Sequence, residues 1–222
     1  FKLSLRGTPS VGWTVKNRDR AVAGRFTPDA ARFGEEIFLR DDNAAALLTH
    51  GEGQWHVERR QDDWIGGWNL GRNDRASVGA LDGAGRDELL FRSENWIGVL
   101  AWSRGRFNTT TVQHDWGDGW NLGKRDREPT AELDGDGAAE IYIRSPNYAG
   151  VMKLERGRLR LKHIQHDWIG EWNLGPGDQE FAGRFRSADR DDIMIRSADW
   201  MGLLSWNARS QKLDLKSSQH DW

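Results

Sequence analysis

Three copies of the phrase Gln-His-Asp-Trp, at 113–116, 165–168 and 219–222, set an imidazole, a carboxylate and an indole side by side, and Gln61-Asp62-Asp63-Trp64 is a worn fourth copy. A second recurring set comprises Arg92, Ser93, Asn95 and Trp96; Arg144, Ser145, Asn147 and Tyr148; and Arg196, Ser197, Asp199 and Trp200. An aromatic plate beside a carboxylate, an amide and a guanidinium suits a sugar. The apolar C–H face of the pyranose stacks on the ring, while planar polar groups take neighbouring hydroxyls in pairs. Catalysis fits poorly. Histidine next to aspartate in sequence is not a dyad, no serine or cysteine nucleophile follows a recognised elbow, and no His/Glu metal motif is present. Repetition of like residues argues for several equal binding sites, whose weak affinities would combine through avidity.

The phrases keep a fixed beat, because Trp68, Trp120 and Trp172 are spaced 52 residues apart. Such a period marks one supersecondary unit copied along the chain. Four repeats are expected, at approximately 13–67, 68–119, 120–171 and 172–222, with 1–12 an extra N-terminal strand, all in a single domain. In the third repeat, Arg127 to Leu133, Glu140 to Arg144, Gly150 to Leu154 and Leu159 to Ile164 alternate with period two between Gly, Pro, Asn and Asp turns. The second and fourth repeats match, with Asp87 to Phe91 and Gly98 to Trp102, and with Asp192 to Ile195 and Gly202 to Trp206.

Four short strands, a to d, within about 50 residues and without helical periodicity predict an all-β fold: a β-propeller of four four-stranded blades. Pro129, lacking an N–H, places strand a at a sheet edge. Phe1 to Leu5 and Leu213 to Lys216 both read as d strands, so the a-b-c sets number one fewer than the candidate d strands. A ring closed within one chain is the simplest solution; half of a larger ring, closed by homodimerisation or by a parent protein, competes. A chain beginning at Phe1 is expected to have been processed or cut from a longer protein.

Thirty-two lysines and arginines against 34 acidic residues give no basic excess for nucleic acid or anionic membrane. No apolar run approaches the ~18 residues of a membrane helix. The absence of cysteine excludes disulfides, a thiolate zinc site and a cysteine nucleophile. Neutral or small polar partners are therefore favoured, with no nucleic acid and no membrane insertion expected, and the aromatic and polar pattern above makes glycans the expected partner. Thirteen tryptophans against two tyrosines call for packing, ligand contact or both.

The run Glu132-Leu133-Asp134-Gly135-Asp136-Gly137-Ala138-Ala139-Glu140-Ile141 resembles the FG-GAP or VCBS type of propeller repeat, seen in integrin alpha-subunit heads and in propeller lectins. Asp82-Gly83-Ala84-Gly85 with Asp87 and Glu88 keeps part of the pattern, and Arg186-Ser187-Ala188-Asp189 has lost it. The resemblance implies calcium held by Glu132, Asp134, Asp136 and Glu140, since such oxygen donors suit a hard cation. The plainer reading is a solvated Asp-Gly turn, and no cofactor is then required.

Strands of alternating direction send the b to c and d to a loops to one face. The candidate ligand-binding residues on it are Arg92, Asn95, Trp96, His114, Asp115, Trp116, Arg144, Asn147, Tyr148, His166, Asp167, Trp168, Arg196, Asp199, Trp200, His220, Asp221 and Trp222. Duplication copies core residues as faithfully as binding ones. Trp68, Trp120 and Trp172 are read as wedges between blades, with Asn69, Asn121 and Asn173 satisfying loop backbone, and Trp102 and Trp206 as core. The His-Asp-Trp phrases stand between ligand contact and loop structure, because aspartate in a tight loop caps its own backbone. Trp96, Tyr148 and Trp200 sit at loop tips with less packing duty. Arg40, Arg92, Arg144 and Arg196 are open between ligand contact and an ion pair with a neighbouring blade. The first repeat has Asp41-Asp42-Asn43-Ala44-Ala45 at this loop and no aromatic, so unequal sites are expected. The function implied is that of a lectin with several similar sites at inter-blade grooves. Its alternatives are a protein-interaction scaffold and a non-catalytic module of a larger secreted enzyme.

Overall fold

The computed structural model describes residues 13–220. The strand expected at Phe1 to Leu5, and Asp221 and Trp222 of the last phrase, lie outside the described residues. The fold is all-β, and the described residues form four four-stranded antiparallel sheets of propeller-blade type. The first blade holds β1 (Arg20–Gly24), a helical turn α1 (Ala30–Phe33), β2 (Glu36–Arg40), β3 (Ala44–Gly51) and β4 (Gln54–Asp62). A two-residue ladder, β5 (Trp64–Ile65) with β6 (Trp68–Asn69), leads to the second blade: β7 (Arg75–Gly79), β8 (Glu88–Ser93), β9 (Trp96–Ser103) and β10 (Arg106–His114). The next ladder, β11 (Trp116–Gly117) with β12 (Trp120–Asn121), precedes β13 (Thr130–Ala131), β14 (Glu140–Arg144), β15 (Tyr148–Glu155) and β16 (Arg158–His166). The last, β17 (Trp168–Ile169) with β18 (Trp172–Asn173), precedes β19 (Gln179–Gly183), β20 (Asp192–Arg196), β21 (Trp200–Asn207) and β22 (Lys212–His220).

Burial follows strand position. β14 is buried at every residue, whereas β16 buries Leu159 and then leaves its residues half-buried or exposed in alternation. A strand covered on both faces reads as a continuous apolar run; an outer strand alternates. The c to d ladder shifts register at the same place in three blades, between Leu47 and Leu48, Val151 and Met152, and Leu203 and Leu204. A recurring bulge strengthens the local twist. Strand a of the third repeat is shorter than the sequence suggests. Only Thr130 and Ala131 form a ladder, with one separate bridge from Arg127 to Arg144, because Pro129 between them has no N–H to give.

The chain divides into two compact units: Phe1–Val78, Arg86–Ser93 and Gly98–Val112; and Gly79–Gly85, Glu94–Ile97 and Gln113–Trp222. In the first, Phe26, Phe38, Phe91 and Phe107 form an edge-to-face cluster with centroids 5.3 to 5.7 Å apart, and Ile65, Trp68 and Leu70 close over it. In the second, Tyr142, Val151, Ile169, Trp172, Leu174 and Ile193 share one core. Aromatic pairs of this geometry add about 0.5–1.5 kcal/mol beyond the area they bury.

Candidate functional site

Each d to a connection has two halves with opposite duties. In its second half, the indoles of Trp68, Trp120 and Trp172 are 3 to 5% exposed and press against a glycine of their own blade. A Cβ built on Gly98, Gly150 or Gly202 would fall 2.7, 2.8 or 2.6 Å from the ring. Each indole N–H donates to an aspartate six residues on: Trp68 to Asp74 at 2.8 Å, Trp120 to Asp126 at 2.9 Å and Trp172 to Asp178 at 3.3 Å. The same carboxylate oxygen accepts the N–H of Gly71, Gly123 or Gly175. Trp13, Lys16 and Asp19 repeat the arrangement at 3.0 Å for both bonds. A buried indole N–H needs a partner, and this aspartate supplies it for Trp68, Trp120 and Trp172, as Asp19 does for the half-buried Trp13. Sequence reasoning missed Asp19, Asp74, Asp126 and Asp178, although their constant spacing from a tryptophan was there to read.

The first half faces outward. Asp63, Asp115 and Asp167 adopt the left-handed conformation at φ 54, 57 and 58°, a region aspartate tolerates better than most residues. Their N–H groups donate to the main-chain carbonyls of Asn43, Asn95 and Asn147 in the b to c loop. That bond ties the two loops of one repeat together. Directly beside it, the end pair of the c to d ladder is aromatic against histidine: Tyr148 opposite His166 and Trp200 opposite His220. The rings stack tilted, with centroids 4.0 Å apart for Trp96 and His114, 4.3 Å for Tyr148 and His166, and 4.7 Å for Trp200 and His220. All three aromatics remain 42 to 45% exposed.

The polar groups around the first two stacks are pre-ordered. His114 Nδ1 lies 2.9 Å from Asp115 Oδ2, and Asn95 Nδ2 donates to Asp115 Oδ1 at 2.6 Å and meets His114 Nε2 at 2.9 Å. These partners together select the imidazole that donates from Nδ1 and accepts at Nε2. His166 and Asp167 repeat the 2.9 Å contact. Asp199 and His220 are exposed beside Trp200. Trp64 and Trp168 stand outward opposite Asn69 and Asn173, while Ile65 and Ile169 point into the core. The amides of Asn69, Asn121 and Asn173 are thus on the exposed side of their hairpins. In the first blade the end pair is Ala44 with Asp62, so the backbone tie survives without aromatic or imidazole.

Arg92 and Arg144 leave this set. They are 1% and 0% exposed, and the Arg144 guanidinium is occupied by Gly175 O at 2.9 Å, Asp178 at 3.2 Å and Glu180 at 3.4 Å. Arg196, by contrast, is exposed. The Arg144 guanidinium thus ties the end of its b strand to the connection that follows; of the four arginines that end b strands, Arg40, Arg92 and Arg144 are each buried. The glutamine of each phrase is also structural. Gln61 exchanges two bonds with the Phe107 backbone, and Gln113 and Gln165 accept from Leu159 N and Leu213 N of the following blade.

The acidic loop of the third blade is organised by a cation of its own. Lys153 Nζ donates to Asp134 at 2.8 Å, Asp136 at 2.7 Å and Glu140 at 2.6 Å, and Glu132 accepts Gly135 N. The positive charge that calcium would bring to Asp134, Asp136 and Glu140 is supplied there by an ammonium. Glu132, Asp134 and Asp136 also lie close enough together to share a cation. Burial pushes the Glu140 carboxyl up to about 7, against the pull of Lys153 and the Leu133 N–H.

No family model and no curated protein matches the chain. Among solved structures it is similar to an Agrocybe aegerita lectin described by its specific recognition of non-reducing terminal N-acetylglucosamine, at 14% identity and TM-score 0.58, over 95% of this chain and 53% of that one. It is also similar to a Lactobacillus plantarum protein, at 13% identity and TM-score 0.54 over 91% and 56% of the two chains. A Photorhabdus luminescens Tc holotoxin pore matches at 12% identity and TM-score 0.54, over 78% of this chain and 8% of that one. The likeness is one of fold. The chain spans about half the length of the lectin.

Proposed function

We propose that the protein binds carbohydrate through repeated shallow sites centred on Trp96 with His114, Asp115 and Asn95; on Tyr148 with His166, Asp167 and Asn147; and on Trp200 with His220 and Asp199. The observation that carries this reading is the thrice-repeated, solvent-facing stack of an aromatic ring on an imidazole, which in two of the copies has an ordered carboxylate beside it. Packing does not require these rings to be outside. A sugar face stacks on the indole or phenol, and Asp115 or Asp167 accepts from adjacent hydroxyls in geometry already fixed by the histidine. The similarity of fold to an N-acetylglucosamine-recognising lectin supports the same reading.

The first repeat, with Ala44 and Asp62, is the unequal copy, and three working sites are expected in a single chain. Trp64 and Trp168, at 59% and 52% exposed, offer further aromatic surface for the outer residues of a longer glycan. Each site alone is weak, because it is open and holds few polar groups, and joint engagement supplies avidity. A glycan array followed by titration calorimetry tests the proposal. Stoichiometry above one per chain is the expected result. A folded protein that binds no glycan, or one that binds a polypeptide and is insensitive to Trp96→Ala and Trp200→Ala, ends it.

A further inference from the structure

In the second unit, residues around the first two strands of the third blade and the first strand of the fourth form a charge cluster. Arg127 and Arg144 are cross-strand neighbours. The Glu180 carboxylate accepts Arg127 Nη2 at 2.9 Å, lies 2.9 Å from Arg127 Nε and 3.4 Å from Arg144 Nε, and its side chain is 1% exposed. Asp178 holds Arg144 from the other side, and Tyr142 is wholly buried in the same cluster of charges. Two guanidinium groups thus meet two carboxylates.

The first unit repeats this cluster with two deletions. Arg20 and Arg40 are cross-strand neighbours in the same register, and Arg40 donates to Gly71 O at 3.0 Å and Asp74 O at 2.8 Å, as Arg144 does to Gly175 O. Arg20 Nη1 also donates to Asp74 O. Two residues before Arg40 stands Phe38, where Tyr142 precedes Arg144; two residues after Asp74 stands Ala76, where Glu180 follows Asp178. A hydroxyl and a carboxymethyl group are therefore missing. In their place is a cavity of about 190 Å³ lined by Arg20, Val22, Phe38, Arg40, Arg75 and Ala76. Its floor, Arg40, is 2% exposed, and its rim, Arg20 and Arg75, is open to solvent. Burial lowers the Arg40 pKa from its ordinary value, with Asp74 opposing and Arg20 adding to the effect.

We infer that this cavity is a carboxylate-binding site, in which a small organic acid, or the acid group of a larger molecule, takes the position between Arg20 and Arg40 that Glu180 holds between Arg127 and Arg144. The protein's own second copy is the stand-in for the bound state. Planar guanidinium forks match a carboxylate bidentately, and a buried cation gains most from a desolvated counter-charge. The atoms that Ala76 lacks relative to glutamate are those of an acetate, and the cavity leaves room behind it for a longer acid. The site is separate from the exposed aromatic faces and does not rest on glycan binding there.

The test is thermal unfolding of the full chain in sodium acetate and, in parallel, sodium glucuronate, each against sodium chloride at equal ionic strength. Acetate or glucuronate at several times its dissociation constant is expected to raise Tm by about 2–4 °C over chloride. Response to acetate alone identifies a free small acid as the ligand; response to glucuronate as well identifies the acid end of a sugar. Arg20→Ala, at an exposed position, is expected to fold and lose the response. Ala76→Glu should lose it too by supplying the carboxylate internally, and should leave glycan binding at Trp96, Tyr148 and Trp200 unchanged, which separates the two proposals. Identical Tm in all three salts, or a full response in Arg20→Ala, overturns the inference.

Discussion

Within the third repeat, two sets of the same residue types do opposite work. Trp120 with Asp126 is turned inward, its indole pressed on Gly150 and its N–H committed to the carboxylate. Tyr148 with His166 and Asp167 is turned outward, with ring and carboxylate left available to water. The difference lies in which neighbours each aspartate serves. Asp126 completes a buried donor, so its loss leaves a polar group stranded; Asp167 orders an exposed imidazole, so its loss costs the fold little. Periodicity in a repeat protein therefore marks importance without saying whether stability or binding is at stake.

Substitutions can break this contrast. Trp120→Ala should destabilise most, by about 3–5 kcal/mol, since it removes a large buried ring and orphans Asp126; urea unfolding measures it, and a loss below about 1 kcal/mol would place the indole outside the core. Gly150→Ala should cost about 1–3 kcal/mol through overpacking, because the new methyl falls 2.8 Å from the Trp120 ring. The same exchange at an exposed turn such as Gly105, where no atom lies within 4 Å, tests only backbone strain and serves as the control.

The inward acids also sharpen the comparison through pH. Burial pushes Glu180 up to about 7, although Arg127 and Arg144 pull the other way, and Glu140 behaves likewise. Because these folded-state values lie above the unfolded one, their contribution to stability is fully present below about pH 4.5 and is lost as pH rises through about 7. Urea midpoints between pH 5 and pH 8 should therefore decline less in Glu180→Gln than in the unaltered chain. Equal slopes would show that Glu180 is ionised throughout. The smallest stability effect is expected at the outer face: Trp200→Ala should alter unfolding by less than about 0.5 kcal/mol while removing one site from the calorimetric stoichiometry.

The repeat, the all-β character and the order of strands in each blade were legible from alternation and from the spacing of Trp68, Trp120 and Trp172. The separation of buried from exposed tryptophans was partly legible, since β-hairpin alternation puts Trp168 and Trp172 on opposite sides. Less visible were the partners. Lys153 comes from strand c, 13 residues beyond Glu140 and outside the acidic run, yet antiparallel pairing folds it back over Asp134 and Asp136. Arg144 reads as a polar loop neighbour of Asn147, and packing of the following connection over it puts it in the interior.

Sequence alone determined the copying of a four-stranded unit and the set of groups each copy carries, because period-two alternation and turn residues act over a few neighbouring positions. Tertiary structure alone decided which of those groups face water, which arginines gain an internal carboxylate and which a cavity. Those outcomes depend on residues about 30 to 50 positions apart meeting across blades, where one alanine in place of a glutamate changes both volume and charge.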